Sequence, residues 1–304
     1  MNLVISMIVE KINPQGFCKG VILALRKCFE VIKDPNTIKP IYLLGMIIHN
    51  RFVCGELEKQ GIIILEGIDK EALLDKIDNG TVIISAHGVS SKVKEKAIGK
   101  NLTVVDTTCP DVEKVHNNVK KYLSNGYEII YIGKKGHPET VGVIEESNKI
   151  HLITNKHDLD ELDPEKKYYV TNQTTLAHSD LEEYHTKVTN LFPNLVIENN
   201  ICNATTKREM ALYNIKSDLI IVVGDKNSSN TNKLVSVAKN KAQSTNVIHI
   251  ERAKDLLNYD LTNYKKAYIT SGASTPNAIV EQVVRFLISD GKDLTILDEE
   301  LFIF

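Results

Sequence analysis

The sequence contains no C-x-x-C pair, no G-x-x-x-x-G-K-[ST] and no G-x-G-x-x-G. The first absence excludes a zinc ribbon and a thioredoxin-like redox motif. The other two disfavour a P-loop nucleotidase and a dinucleotide enzyme. Lysines and arginines are scattered, no basic block is interleaved with aromatics, and the net charge is only −2. Nucleic acid is therefore not an expected partner. The apolar start "MNLVISMIVEKINPQGF" has no basic n-region and no small-residue cleavage site, and it is too short to span a bilayer. It reads as a strand. With no Arg- and Ser-rich transit segment, a cytoplasmic protein without a membrane partner is expected. No nucleic-acid-binding extension is expected after the closing "LDEELFIF".

What is there is an ordinary globular composition, 42% hydrophobic and 25% charged over 304 residues. That length exceeds what one core usually serves, so two or three domains are expected. The five cysteines are Cys18, Cys28, Cys54, Cys109 and Cys202. An odd number in a chain read as unexported argues against a disulfide framework.

Three of these cysteines share one setting. Cys18, Cys109 and Cys202 each stand where a β-branched strand pattern gives way to a helical period, and they recur roughly 90 residues apart. In each repeat a second strand ends in glycine: "IYLLGMIIHN", "IIYIGKKGHPE" and "LIIVVGDKNSSN". Four residues past that glycine stand His49, His137 and Ser228. A third strand then leads to a polar turn in "VIISAHGVS", "YYVTNQTTLA" and "AYITSGASTP". These turns offer His87, Gln173 with Thr174 and Thr175, and Ser274. Short strands "GIIIL", "KIHLIT" and "VIHIER" lie between.

The pattern predicts an α/β protein of three pseudo-repeated units with parallel strands: 15–100, 101–195 and 196–304, the last completed by an N-terminal strand over 1–14. Ligands in open parallel sheets gather beyond the carboxyl ends of the strands. The three cysteines and the polar loops fall at those ends, including the loop "GKKGHPETVG" that carries His137 and Glu139. At helix N-termini the backbone dipole favours thiolate. Two metals suit such a set: zinc with three thiolates and a histidine in a closed site, or an iron–sulfur cubane with one iron left open. The ring of hydrogen-bonding loops favours the open cluster. The hydroxyl- and glycine-rich loops "KNSSNT", "SAHGVS" and "GASTP" suit phosphate. A carboxyl beside an anion and out of bulk water has a raised pKa, which fits Glu139 for proton supply. A cysteine taken singly is most often a small buried hydrophobe. Cys28, within "LALRKCFEVI", and Cys54, without a counterpart in the repeat, are read that way.

The set "GFCKGV", "HNRFV", "SAHGVS", "TTCPDVEKVH", "GHPE", "QTT", "CNATTKRE", "NSSN" and "GAS" resembles, in order, the 4-hydroxy-3-methylbut-2-enyl diphosphate reductases. The motifs run from residue 16 to about 276. The resemblance implies a trefoil of three α/β domains around a central [4Fe-4S] cluster, held by Cys18, Cys109 and Cys202 with one iron open. It implies reductive dehydroxylation of an allylic diphosphate to isopentenyl and dimethylallyl diphosphate, the last step of the methylerythritol phosphate route. Reduced ferredoxin or flavodoxin is the implied electron donor. His49 and His87 fall on diphosphate-binding histidines, and Ser228, Ser229, Asn230 and Ser274 on the rest of that cradle. His137 falls on a histidine of the same pocket, Glu139 on the proton donor, and Thr174 on the threonine that holds the substrate hydroxyl and the donor. Lys19, Leu23 and Gln15 depart from the usual pattern around the first cysteine; none is a ligand or acid. An iron–sulfur hydro-lyase and a non-catalytic cluster-based metabolite sensor are the alternatives.

Overall fold

The computed structural model describes residues 7–213, 215–240, 242–244 and 246–301. Of the strand expected over 1–14, residues 1–6 lie outside the described residues, as do 214, 241, 245 and 302–304 of the expected third unit. The chain opens with β1 (Ile8–Lys11) and α1 (Lys19–Lys33). Next come β2 (Ile41–Leu44), α2 (Arg51–Lys59), β3 (Ile62–Leu65), α3 (Lys70–Leu74), β4 (Thr81–Ile84), α4 (Ser91–Gly99) and β5 (Thr103–Asp106). These lead into α5 (Pro110–Ser124), β6 (Glu128–Ile132), α6 (Pro138–Ile144), β7 (Ile150–Ile153), β8 (Tyr168–Asn172), α7 (His178–Leu191) and β9 (Leu195–Ile197). The remainder is α8 (Asn203–Leu212), β10 (Lys216–Ser217), β11 (Leu219–Val223), α9 (Ser229–Asn240), β12 (Gln243–Ser244), β13 (Val247–Ile250), β14 (Lys266–Ser271) and α10 (Asn277–Ile288).

These strands form three four-stranded parallel sheets with the orders β3-β2-β4-β5, β7-β6-β8-β9 and β13-β11-β14-β1, besides a short β10–β12 ladder. The orders are one pattern used three times. In the third sheet β1 occupies the edge that β5 and β9 occupy in the others, with Ile8 opposite Lys266. The chain groups into two compact units. One comprises residues up to Cys18, His49–Val53 and everything from Asn203, and holds the third sheet. The other comprises Lys19–Ile48 and Cys54–Cys202, and holds the first two sheets.

Sequence explains the layering. Every residue of β4, β8 and β11 is buried, because central parallel strands are covered on both faces and so carry unbroken apolar runs. Along β6 the side chains alternate. Ile129 and Tyr131 join Val115 and Val119 of α5 and Val143 of α6, whereas Ile130 and Ile132 join Leu181 and Val188 of α7. Helix α1 buries Val21, Ala24, Leu25 and Cys28, and α5 buries Val112, Val115, His116 and Val119. Both are the i, i+3, i+4, i+7 stripe of a helix docked by one face. Each fully buried Val or Leu contributes about 1.5–3 kcal/mol. No helix among the described residues is long and apolar enough to cross a membrane.

Candidate active site

In each sheet the order reverses between its two central strands: β2 and β4, β6 and β8, β11 and β14. Loops leaving such neighbours part to opposite faces and open a crevice at the carboxyl ends. Each repeated cysteine is tied to the loop after a central strand of one sheet. The Cys109 N–H donates to the Ala86 carbonyl after β4 at 3.0 Å, that of Cys202 to Thr174 after β8 at 2.9 Å, and that of Cys18 to Ala273 after β14 at 3.0 Å. Each cysteine immediately precedes a helix: α1, α5 or α8. Cys109 is the N-cap of α5, with Pro110 in the first helical position, where a fixed φ and a missing N–H cost nothing.

The five cysteines carry no disulfide and fall into two classes. Cys18, Cys109 and Cys202 are half-buried, whereas Cys28 and Cys54 are buried in the core. Burial, with Cys54 beside it, pushes the Cys28 thiol up to about 12, so it stays a thiol. Only the repeated three combine access with a helix N-terminus, as a thiolate donor to a metal cluster requires.

The unit holding the first two sheets carries Glu139. The "GHPE" segment, expected as a loop, is instead the start of α6. His137 caps it in an extended conformation and Pro138 opens it, so Glu139 lies in its first turn. The Glu139 N–H donates to His137 Nδ1 at 3.2 Å, which leaves the neutral imidazole's proton on Nε2. Glu139 is only 1% exposed. The Thr174 N–H donates to its Oε1 at 2.6 Å and the Thr174 hydroxyl to its Oε2 at 3.0 Å. Burial raises the carboxyl pKa to about 7, and the bonds from Thr174 only partly offset that. At neutral pH it holds a proton about half the time.

The loops around this carboxyl are tied together. Gln173 accepts from the Lys134 N–H at 3.0 Å and the Thr140 hydroxyl at 3.3 Å, and donates to the Thr175 hydroxyl at 2.8 Å. Gly142 of α6 comes so close to the loop after β4 that a Cβ there would stand 3.2 Å from Val89 Cα. That approach sets the His87 ring edge-on to His137, with centroids 5.5 Å apart.

The other unit gathers the hydroxyl groups. Ser228 and Ser229 lie at the start of α9, the positive end of the helix dipole, which favours an anion. The Ser274 hydroxyl is 3.4 Å from that of Ser228 and donates to the His49 carbonyl at 3.1 Å. Asn230 accepts from the Ala273 N–H at 2.8 Å and donates to Thr205 at 3.0 Å. Its amide thus joins the loop after β14 to α8.

Sequence reasoning missed Arg208, 2% exposed on α8. Its guanidinium donates to the carbonyls of Gly16 at 2.6 Å, Ser271 at 3.2 Å and Ala204 at 3.3 Å. Gly16, two residues before Cys18, has φ +69°, and a Cβ there would strike Asn277 Oδ1 at 2.2 Å. Arg208 thus fixes the turn that presents the first cysteine. The motif "CNATTKRE" contains it, but the inward face of α8 is largely polar, with Thr205, Arg208, Glu209 and Leu212 buried, so apolar periodicity does not mark it.

The chain is similar to known proteins over most of its length. The family described as "LytB protein" matches residues 9–288. A 4-hydroxy-3-methylbut-2-enyl diphosphate reductase of Symbiobacterium thermophilum is 44% identical over 286 residues, covering 92% of this chain and 97% of that protein. One from an Exiguobacterium strain is 40% identical over 305 residues, covering 98% and 96%. The solved E-1-hydroxy-2-methyl-but-2-enyl-4-diphosphate reductase of Plasmodium falciparum superposes with a TM-score of 0.83 at 37% identity, covering 92% of this chain and 88% of that one. A second solved (E)-4-hydroxy-3-methyl-but-2-enyl diphosphate reductase gives a TM-score of 0.66 at 30% identity, with 94% and 99% covered. With its repeated sheets, its three cysteines each preceding a helix and matches over nearly its whole length, the chain belongs to the LytB protein family.

Proposed function

We infer that this protein is a 4-hydroxy-3-methylbut-2-enyl diphosphate reductase, acting at the terminal step of the methylerythritol phosphate pathway. The observation that carries the catalytic reading is the buried, proton-holding Glu139 bracketed twice by Thr174. The overall change takes two electrons and two protons: the allylic C–O bond is replaced by C–H, and the oxygen leaves as water. Hydroxide is a poor leaving group, so a proton must reach that oxygen as the bond breaks.

The family implies an iron–sulfur cluster. The residues present fit one, because three half-exposed cysteines at helix N-termini are suited to thiolate ligation and the two core cysteines are not. Cys18, Cys109 and Cys202 would hold it, with one iron left without a protein ligand. When bound, the cluster supplies the electrons and a Lewis-acidic iron.

Glu139 gives its proton to the departing oxygen, and Thr174 fixes both carboxyl oxygens so that the transfer has one geometry. His137, with its proton on Nε2, offers a donor toward the substrate. His49, His87, Ser228, Ser229, Asn230 and Ser274 take the diphosphate. Asn230 also holds the loop after β14 to α8, and the serine hydroxyls and the N-terminus of α9 supply further donors. Neutral donors and helix dipoles bind the anion without a surplus of lysines. Reduced ferredoxin or flavodoxin is the class of electron donor.

The test is anaerobic oxidation of reduced methyl viologen by the reconstituted protein, with and without 4-hydroxy-3-methylbut-2-enyl diphosphate. Substrate-dependent oxidation that yields both five-carbon diphosphates, and is lost in Cys109→Ser and Glu139→Gln, supports the reading. No oxidation from protein carrying its full cluster overturns it; water loss without reductant would instead mark a hydro-lyase.

A further inference from the structure

Tyr131 is a phenol where a phenylalanine would pack as well. It is fully buried on the β6 face that meets α5 and α6, among Val115, Val119, Val143 and Tyr169. Its hydroxyl is sealed from solvent and closes no hydrogen bond of ordinary geometry. An unsatisfied buried hydroxyl is destabilising, and packing alone gives no return for it. What the hydroxyl faces is the Glu139 carboxyl and the Thr140 side chain. Gly133 makes room for this grouping: a Cβ there would stand 2.7 Å from Tyr131 Cε1 and 2.8 Å from Thr140 Oγ1.

The two facing groups differ in what they can accept. The Thr140 hydroxyl spends its own proton on Gln173 Oε1, so its lone pairs remain to accept from a neighbour. Glu139 is a poor acceptor while protonated and a strong one once ionised. Tyr131 itself stays a donor throughout, because burial, with Glu139 beside it, holds its own proton far above neutrality.

We propose that Tyr131 is a positioning residue for the acid: its O–H turns from Thr140 to Glu139 when Glu139 has given up its proton, and so sets how readily that proton returns. The proposal rests on the reading of Glu139 as proton donor. No covalent step is involved; the phenol proton stays on Tyr131, and the proton that recharges Glu139 comes from solvent. The other groups facing Glu139 are Thr174 from the loop after β8, Asp111 from α5, which raises its pKa, and His137 at the cap of α6. All of them are retained in the variants that follow.

The experiment is an infrared titration of the protonated-carboxyl band of Glu139 in the metal-loaded protein, with Glu139→Gln to assign the band. Tyr131→Phe removes only the hydroxyl. Its expected effect is a titration midpoint moved up by about one pH unit, since a donor to the charged form is lost. Thr140→Val removes the competing acceptor, and its expected effect is a midpoint moved down. Opposite shifts support the proposal. Midpoints unmoved in Tyr131→Phe, or shifted the same way in both variants, overturn it. The band reads a proton rather than turnover. Opposite shifts in a protein that never reduces substrate would therefore sink the reductase reading alone, and normal turnover without them would sink the role of Tyr131 alone.

Discussion

Thr174 grips both oxygens of Glu139, one through its backbone N–H at 2.6 Å and the other through its hydroxyl at 3.0 Å. The same residue's carbonyl accepts from the Cys202 N–H at 2.9 Å. One peptide unit after β8 therefore ties the acid to a cysteine-bearing loop. Thr174→Val keeps the backbone bond and the volume but loses the hydroxyl. A hydrogen bond to a charged group is worth about 1.5–3 kcal/mol, so kcat should fall by about ten- to a hundredfold. Because the lost bond favoured the carboxylate, the pH at which Glu139 deprotonates should rise. A pH–rate profile of the variant reads both effects, and an unchanged profile would remove Thr174 from the mechanism.

Glu139 also makes stability depend on pH. Its folded pKa, about 7, is raised above the ordinary carboxylate value of 4.5. Below about pH 4.5 both folded and unfolded chains hold the proton, and this site carries no penalty. As pH rises toward 7 the unfolded chain releases it and the folded chain does not, so stability is progressively lost, by about 3 kcal/mol in all. Glu139→Gln never titrates. Relative to the unsubstituted protein its Tm should rise between pH 5 and pH 8, while its kcat drops at least about a hundredfold. A Tm difference that stays flat across that range would contradict the burial argument.

Much of this was legible in the sequence, for a physical reason. Strands covered on both faces must be continuously apolar, so "VIISA", "EIIYI" and "LIIVV" stand out, and the polar loops behind them stand out by contrast. The edge strands are harder to place. The return of β1 to pair with β14, Ile8 opposite Lys266, is expected only through the threefold repeat, because no local pattern encodes a partner so far along the chain. The "GHPE" segment reads as a loop because seven residues with one proline make a weak helical signal, yet His137 and Pro138 are the cap and first turn that α6 needs. Arg208 hides on a helix whose buried face is mostly polar, and Tyr131 looks like one more aromatic in a strand.

Arg208 gives a prediction that separates structure from chemistry. Its fork holds three carbonyls, one of them at the turn before Cys18. Lysine keeps the charge but cannot reproduce the fork. Arg208→Lys should therefore lower Tm by several degrees and reduce the iron retained per chain, while residual enzyme that keeps its iron shows near-normal KM. Full iron retention at an unchanged Tm would mean that the Gly16 turn holds itself.

The two classes of cysteine make the sharpest contrast. Cys28 is 0% exposed, its thiol pushed up to about 12, and it packs in the inward stripe of α1. Cys109 is half-buried at the N-terminus of α5, the end of the helix dipole that favours negative charge. Cys28→Ala removes one buried sulfur and should cost about 1–2 kcal/mol of stability, with iron and sulfide per chain unchanged. Cys109→Ala removes a proposed ligand and little packing, so Tm of the metal-free protein should hardly move while bound iron and visible absorbance collapse. Iron and sulfide analysis after anaerobic reconstitution decides it. If Cys28→Ala loses the cluster and Cys109→Ala keeps it, the assignment of ligands from exposure and helix position is wrong.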